Sequence, residues 1–445
     1  MNVAIMKTKA EQALSEAFEA NAGKLPGGSA VQSARKAAIG EFGMLGLPHR
    51  RVEEWKYTDL RVNFKDAAAP AINDTTAVTA AELKAALGPL AQVDCFRIVF
   101  VNGRCHPDLS SVTDAKGLEV KPLSGALAAA PDKVAEGLTR TTGPERDATI
   151  ALNTAFMTDG AVVRIADGAT LAKPLLIVFV TAGKTAHLTS VRNVISVGAK
   201  SEATVIEAHV ALIGAAPDGQ TNALTELTVG NAASLAHIKV ATGSGGGVHL
   251  ANWNISLGAD ANYRGFQYTS GQGLTRNQIT AVYAGEGGKF DLSGVFLARG
   301  SEHVDTTLVV DHAVPRCESR ELFKGVLDDR ARGVFQGKVI VRPDAQKTNG
   351  KQMAQALMLS PDADFDSKPE LEIYADDVVC GHGTTTAELD ADLLFYCMSR
   401  GIPENEARAL LIESFIGEAL DKVEHDDLRA ALATYATDWL NTARG

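Results

Sequence analysis

Cysteine is scarce in this 445-residue chain, and the five that occur (Cys95, Cys105, Cys317, Cys380 and Cys397) form no CxxC pair. An odd, scattered set is neither a disulfide framework nor a self-contained zinc or cluster motif, and it suits a reducing compartment. Positive charge is in deficit. The formal net charge of −11 argues against non-specific nucleic-acid binding and for solubility. Long apolar runs are missing too: the strongest, Leu175–Val180, is far too short to cross a membrane. The N-terminus lacks an apolar stretch of signal-peptide length, so a soluble cytoplasmic protein is expected, without membrane or nucleic-acid partners. There is no HExxH, GxSxG or EF-hand loop. Gly183–Lys184–Thr185 mimics the end of a phosphate-binding loop, but Val178 stands where its first glycine belongs. The glycines of 243–248 lack the strand–helix context of a dinucleotide site and read as a loop.

What the chain does contain changes along its length. Residues 1–47 read as two helices. Ala10, Ala13, Leu14, Ala17 and Phe18 share one face, with Lys9, Glu11 and Glu16 on the other. Gly23–Gly28 separates the helices, Ser29 is a candidate N-cap, and Gly46 and Pro48 end the second. In residues 49–60, HRRVEEWKYTDL, charged residues surround Trp55 and Tyr57, as in a surface segment docked by its aromatics. A helix is expected near 80–87 and another near 131–139. Residues 95–105 read as a strand entering an Asn102–Gly103 turn.

From about residue 161 helical periodicity disappears. Short β-rich runs recur around Gly198, Gly230, Gly258 and Gly285, at spacings of 32, 28 and 27 residues. One coil of a β-solenoid needs about this much chain, and stacked coils bury a continuous core. The fold expected is mainly β: a right-handed parallel β-helix flanked by N-terminal and C-terminal α-helical domains. A Greek-key sandwich is the alternative, but it does not require the same turn chemistry at a near-fixed interval. The boundaries are 1–92 for the N-terminal helical domain, 93–387 for the β-helix (most regular over 161–387) and 388–445 for the C-terminal helical domain. His187, His209, His237 and His249 fall in the strand-like runs and read as core or ladder residues. The charged stretch 299–352, with Arg316, Arg320, Lys324, Arg330, Arg332 and Lys338 interleaved with Glu318, Glu321, Asp328 and Asp329, reads as a salt-bridged face or a subunit interface.

Residues 366–401 carry the candidate chemistry. Leu371, Ile373, Ala375 and Asp377 alternate with Glu372, Tyr374 and Asp376, the period of a strand that continues through Cys380. Gly381 and Gly383 loosen the backbone around His382. Residues two apart in a strand share a face, which puts Cys380 and His382 side by side at roughly 6–7 Å. A thiolate and an imidazole make half a transition-metal site, and the remaining ligands must come from elsewhere, such as another chain. On spacing alone, a small buried cysteine and a turn histidine are the favoured reading of the pair. Beyond it, Asp390 or Asp392 caps a helix ending at Arg400–Gly401. Pro403 starts a second, faced by Ala407, Leu410, Leu411, Ser414, Phe415 and Ala419, and Asp426–Thr442 forms a third.

The run PELEIYADDVVCGHGTTTAELDADLLFYCMSRGIPENEARALLIESFIGEAL resembles the C-terminal signature of the SufB/SufD family, the scaffold of the Suf iron–sulfur cluster assembly system. FKGVLDDRARGVFQGKVIV is a second similar run, and EEWKYTDL resembles the N-terminal signature of the SufD side of that family rather than the SufB side. The resemblance covers about 53–420. It implies a β-helix core and a non-enzymatic, SufD-like scaffold subunit. Its partners would be SufB, through the late β-helix, and the SufC ATPase, through the C-terminal helices, with a homodimer as the arrangement without SufB. Sulfur would arrive from a cysteine desulfurase, and a transient iron–sulfur cluster would be shared with SufB. Flavin belongs to the complex at most, since no residues here point to it. Cys380 and His382 match the family's CxHG motif and would ligate the nascent cluster; Gly381 stands where the family commonly has serine. Two alternatives are the SufB paralogue itself and, in a different class, a β-helix polysaccharide lyase or hydrolase using Asp328, Asp329 and Arg332.

Overall fold

In the computed structural model, residues 7–442 are described apart from 73, 113–114, 133–145, 244 and 272. From Ala161 onward, successive strands are laid alternately into two sheets and pair in parallel with the strand two earlier. One sheet runs from Leu175–Thr181 to Val379–Ala387 and the other from Ala161–Ile165 to Asp364–Ile373. This is the expected parallel β-helix and not the sandwich. Inward residues stack in columns: Leu235, Tyr263 and Phe290 are register partners on adjacent coils, and the last two rings stack at 5.1 Å. Parallel in-register coils put identical positions above one another, so aromatic and aliphatic ladders bury the core continuously.

The glycine repeat has a steric cause. A Cβ on Gly230 would sit 2.7 Å from the Ala199 nitrogen, and one on Gly285 would sit 2.2 Å from the Ala259 nitrogen. Consecutive coils touch backbone to backbone at this corner, and a side chain there would force them apart. The Asn102–Gly103 turn also forms as expected. Both residues have positive φ, joining Phe96–Val101 to Arg104–Cys105 as an antiparallel hairpin.

Helices cover the outer faces. Lys9–Asn21, Ser29–Leu45 and Ala148–Phe156 pack Phe18, Phe42 and Phe156 with Trp55 against Leu188, Val248, Leu250 and Leu274 of one sheet. Glu404–Leu420 and Asp426–Thr442 pack Ile416, Leu420, Leu428 and Leu432 against the outer side of the other, including Phe266, Tyr268 and Val295. Among the described residues no helix is long and apolar enough to cross a membrane.

Several local expectations are corrected. Glu11 is buried instead of solvated: its carboxylate accepts from the Thr8 nitrogen (2.6 Å) and the Leu47 nitrogen (2.6 Å) and pairs with Arg61 (3.3 Å), tying both ends of the helical pair. Gly28, and not Ser29, is the N-cap of the second helix. Ala148–Phe156 was not anticipated because all of its residues are buried, which erases the amphipathic period. The expected helix near 131–139 lies, from residue 133, outside the described residues. In Glu404–Leu420 the buried face is Ala407, Ile412, Ile416, Ala419 and Leu420, while Leu410 and Ser414 are exposed; the face is rotated because the helix lies on a sheet and buries its other side. Nor does one strand run through 371–380. The chain leaves one sheet at Ile373, turns, and enters the other at Val379. Gly381 and Gly383 do not break this strand, since pairing with Asn349–Met358 carries it on to Ala387.

Candidate functional site

Cys380 and His382 lie two apart on the final strand, opposite Gly350 and Gln352 respectively. They share the side that, in earlier coils, faces the core: the Cys380 column runs back through Gly350 and Ser319 to Phe290, and the His382 column through Gln352 and Glu321 to Leu292. The expected shared face is therefore present, although in a strand and not a turn.

Their surroundings differ from an ordinary core because the solenoid ends here. Among the described strands, Asp364–Ile373 and Val379–Ala387 are each paired on one side only. Cys380 is half-buried and packs at the small apolar cluster of Val339, Val341, Ala345 and Ala375. His382 is exposed. Burial pushes the Cys380 thiol above its ordinary pKa, a tendency opposed by the Gly350 backbone amide. Gly350 also leaves room over the sulfur, for a Cβ there would come 3.6 Å from Sγ and 3.4 Å from a Val339 methyl. A pocket of about 490 Å³ opens beside the pair, with Glu321, Gln352 and Met353 in its lining. No three His, Cys, Asp or Glu side chains among the described residues are placed to hold a metal ion by themselves. An imidazole and a thiol on an open edge therefore offer two ligands and leave coordination positions for others.

The remaining cysteines do not join them. Cys95 and Cys105 lie at the opposite end of the solenoid, with thiol pKa values raised by burial, Cys105 to about 11. Cys317 is buried and aims its sulfur at the Gly285 and Pro315 carbonyl oxygens. His209, His237 and His249 are buried in the early coils, as expected of core histidines: His237 bonds Glu207 at 2.7 Å and stacks on Trp253 at 4.0 Å. His187 is half-buried and lies 3.6 Å from the Asp74 carboxylate. The charged stretch is largely a salt-bridged face, with Arg342 on Asp311 (2.7 Å), Lys338 on Glu372 (3.1 Å), and Arg332 on Asp366. That pairing occupies Arg332, and Asp329 accepts from the Gly300 nitrogen in a turn, so the carboxylates proposed for a lyase are engaged structurally.

Sequence reasoning missed Glu321, which it placed on that solvated face. Only 3% of its surface is exposed, and neither carboxylate oxygen has a hydrogen-bond partner. The clue was the alternation of Ser319, Glu321 and Phe323, which puts the carboxylate on the inward side with the phenyl ring.

A second feature lies just beyond the pair. The helix Ala391–Ser399 starts at an Asp390 cap and buries none of its residues. Leu393, Phe395, Tyr396 and Met398 on it are exposed, Phe395 at 72%. This helix packs against Glu404–Leu420 and leaves large apolar side chains around the rest of its surface in solvent, the exposure that marks interaction surfaces.

Comparison with known proteins agrees with this architecture. Residues 8–177 match the SufBD protein N-terminal region, and residues 179–415 match the SufBD core domain of the SUF system for FeS cluster assembly. An iron–sulfur cluster assembly SufBD family protein of Synechocystis is 32% identical over 91% of this chain and 90% of its own. The iron–sulfur cluster assembly protein SufD of Escherichia coli is 30% identical over 86% of this chain and 87% of its own, and that of Bacillus subtilis 27% over 64% and 65%. With both family regions matched in order across a parallel β-helix, the chain belongs to the SufB/SufD family of iron–sulfur cluster assembly proteins.

Proposed function

We propose that this protein is the SufD-like scaffold subunit of a complex with SufB and SufC, and that it performs no catalysis itself. The single observation that carries the reading is the placement of Cys380 and His382 on the inward columns of an unfinished last coil, beside strand edges with free backbone groups. A second solenoid of the SufB type would complete that coil by edge-to-edge contact and bring the missing ligands. Iron and sulfide are then substrates gathered at the junction, where Cys380 and His382 supply a thiolate and an imidazole. SufC would dock on the C-terminal helices, where Leu393, Phe395, Tyr396 and Met398 offer an apolar surface, and its ATP hydrolysis would move the scaffold. In this reading 1–92, 93–387 and 388–445 act as N-terminal, scaffold and docking domains, and the protein works in the cytoplasm. Without SufB, the same edge would pair two copies of this chain.

The test is anaerobic co-expression with the SufB and SufC counterparts, comparing cluster absorbance and bound iron for the wild-type and His382→Ala complexes. The expected result is an assembled complex that lacks cluster. A His382→Ala complex that assembles and fills normally would make the pair structural.

A further inference from the structure

The last coils have an outer side as well as an inner one. Along Glu318–Leu327, Asn349–Met358 and Val379–Ala387, the residues that alternate with the core columns face outward beside the end of the helix Glu404–Leu420. On this side Glu418 and Lys422 wall the pocket of about 490 Å³, and Leu322, Met353, Val379, Gly381 and Gly383 floor it. Met353 and Val379 are exposed, at 37% and 62%. Glycines at two successive outward positions leave the final strand as bare peptide, and a Cβ on Gly381 would meet nothing within 4 Å. Such a floor accepts a planar ring, with the Met353 thioether beside it. Cys380, His382, Glu321 and Gln352 border the pocket from the inward columns of the same strands.

Charge here is unevenly compensated. Asp291, Arg320, Lys351 and Gly381 are register partners in one outward column on successive strands. Lys422 holds Asp291 at 3.2 Å and Lys324 holds Glu418 at 2.5 Å, so both outward carboxylates have a counter-charge. Arg320 donates to the Ser319 and Asn349 carbonyl oxygens (2.6 and 2.7 Å), and Lys351 is exposed; neither makes an ion pair among the described residues. Glu321 faces inward, and burial pushes its pKa up to about 8, so it brings little negative charge at neutral pH. Two unpaired cations on strands about 4.8 Å apart, in a chain of net charge −11, make a local site for an oxyanion.

We infer that this groove binds a small organic anion, a carboxylate or phosphate carried on a planar apolar body. The oxyanion meets Arg320 and Lys351, and the ring lies on Met353 and the peptide of Gly381–Gly383. Apolar pockets of about 300–1,000 Å³ with a few placed polar groups hold molecules of this kind. Nucleotides and aromatic carboxylates share the chemistry. Because the ligand lies on the outer side of the strand, the inference goes beyond the scaffold reading and does not rest on Cys380 and His382 being ligands.

The experiment is calorimetric titration of the full-length chain at low ionic strength with ADP, naphthoate and inorganic phosphate. Wild type, Lys351→Glu and Gly381→Leu are compared, each first checked by its melting temperature. We expect one molecule of ADP or naphthoate per chain, bound at least tenfold more tightly than phosphate, and at least tenfold weaker binding in both variants. Lys351→Glu reverses an exposed charge and Gly381→Leu projects a side chain over the floor from open space, so both should fold; Lys351→Ala and Gly381→Val replace either that does not. Binding of ADP alone identifies a nucleotide as the source, and binding of naphthoate alone an aromatic carboxylate. Phosphate bound as tightly as either organic anion, wild-type affinity in either variant, or no binding by the wild type overturns the inference. Each of those results leaves the Cys380–His382 reading standing.

Discussion

The guanidinium of Arg276 lies 3.8 Å from the centre of the Trp55 ring while its Nη1 pairs with the buried Asp305 carboxylate. Its Nη2 also donates to the Glu54 carbonyl oxygen (2.7 Å), and Thr58 bonds the same aspartate. Through these contacts the segment around Trp55 is fastened to the middle of the solenoid, more than two hundred residues away in sequence. Truncating Trp55 removes a buried indole and leaves Arg276 without its cation–π partner. Trp55→Ala should cost about 3–5 kcal/mol, read as a lowered urea midpoint, and Trp55→Phe clearly less.

Two glycines make a matched pair. Gly285→Ala pushes a Cβ into the backbone of the preceding coil and should destabilise by about 1–3 kcal/mol. Gly381 has nothing within 4 Å of a Cβ, so Gly381→Ser should leave the melting temperature unchanged or slightly raised. Thermal unfolding of the two variants side by side checks both.

Lys239 is buried in the early coils, donating to Asn277 at 2.6 Å, and burial pushes its pKa down from 10.5 to about 7, against the pull of Glu207. His209 and His249, also buried and facing it, contribute no counter-charge. Between about pH 7 and 10.5 the unfolded chain therefore binds a proton here that the fold does not. Stability should rise with pH across that window, by up to about 1.4 kcal/mol per unit from this group. Urea midpoints at pH 8 and 9.5 should diverge in the wild type more than in Lys239→Met.

The exposed helix Ala391–Ser399 makes a separable prediction. Because none of its residues is buried, Phe395→Asp should leave the melting temperature within about 1 °C of wild type, in keeping with the small effects of surface substitutions. Co-purification of SufC should fall at least tenfold. Retention of SufC at wild-type level would place its docking surface elsewhere.

The solenoid was legible in the sequence because its coils repeat a steric requirement: Gly230, Gly258 and Gly285 recur wherever backbones touch. The shared face of Cys380 and His382 was legible for a similarly local reason, the two-residue strand period. Which sheet each strand joins was not, since the corner between Ile373 and Val379 has Asp376 and Asp377 but no glycine or proline to mark it, and is decided by pairing with strands some thirty residues earlier. Burial of Glu11 and Glu321 was equally hidden. Charge alone assigns a carboxylate to water, and only the helix packing at Leu47 and the inward register after Ser319 place these two inside.

Stacking coils one upon another has a consequence for exchange with solvent. Interior coils such as Asn262–Ser270 are clamped by a strand on each side, whereas Val379–Ala387 is held from one side only. In a one-dimensional stack, opening begins where a neighbour is missing, so the amides around Cys380 and His382, with those of Asp364–Ile373, should trade deuterium sooner than those of the interior coils. Whatever caps that edge will be visible first as a slowing of this exchange, before any change in the overall melting of the protein.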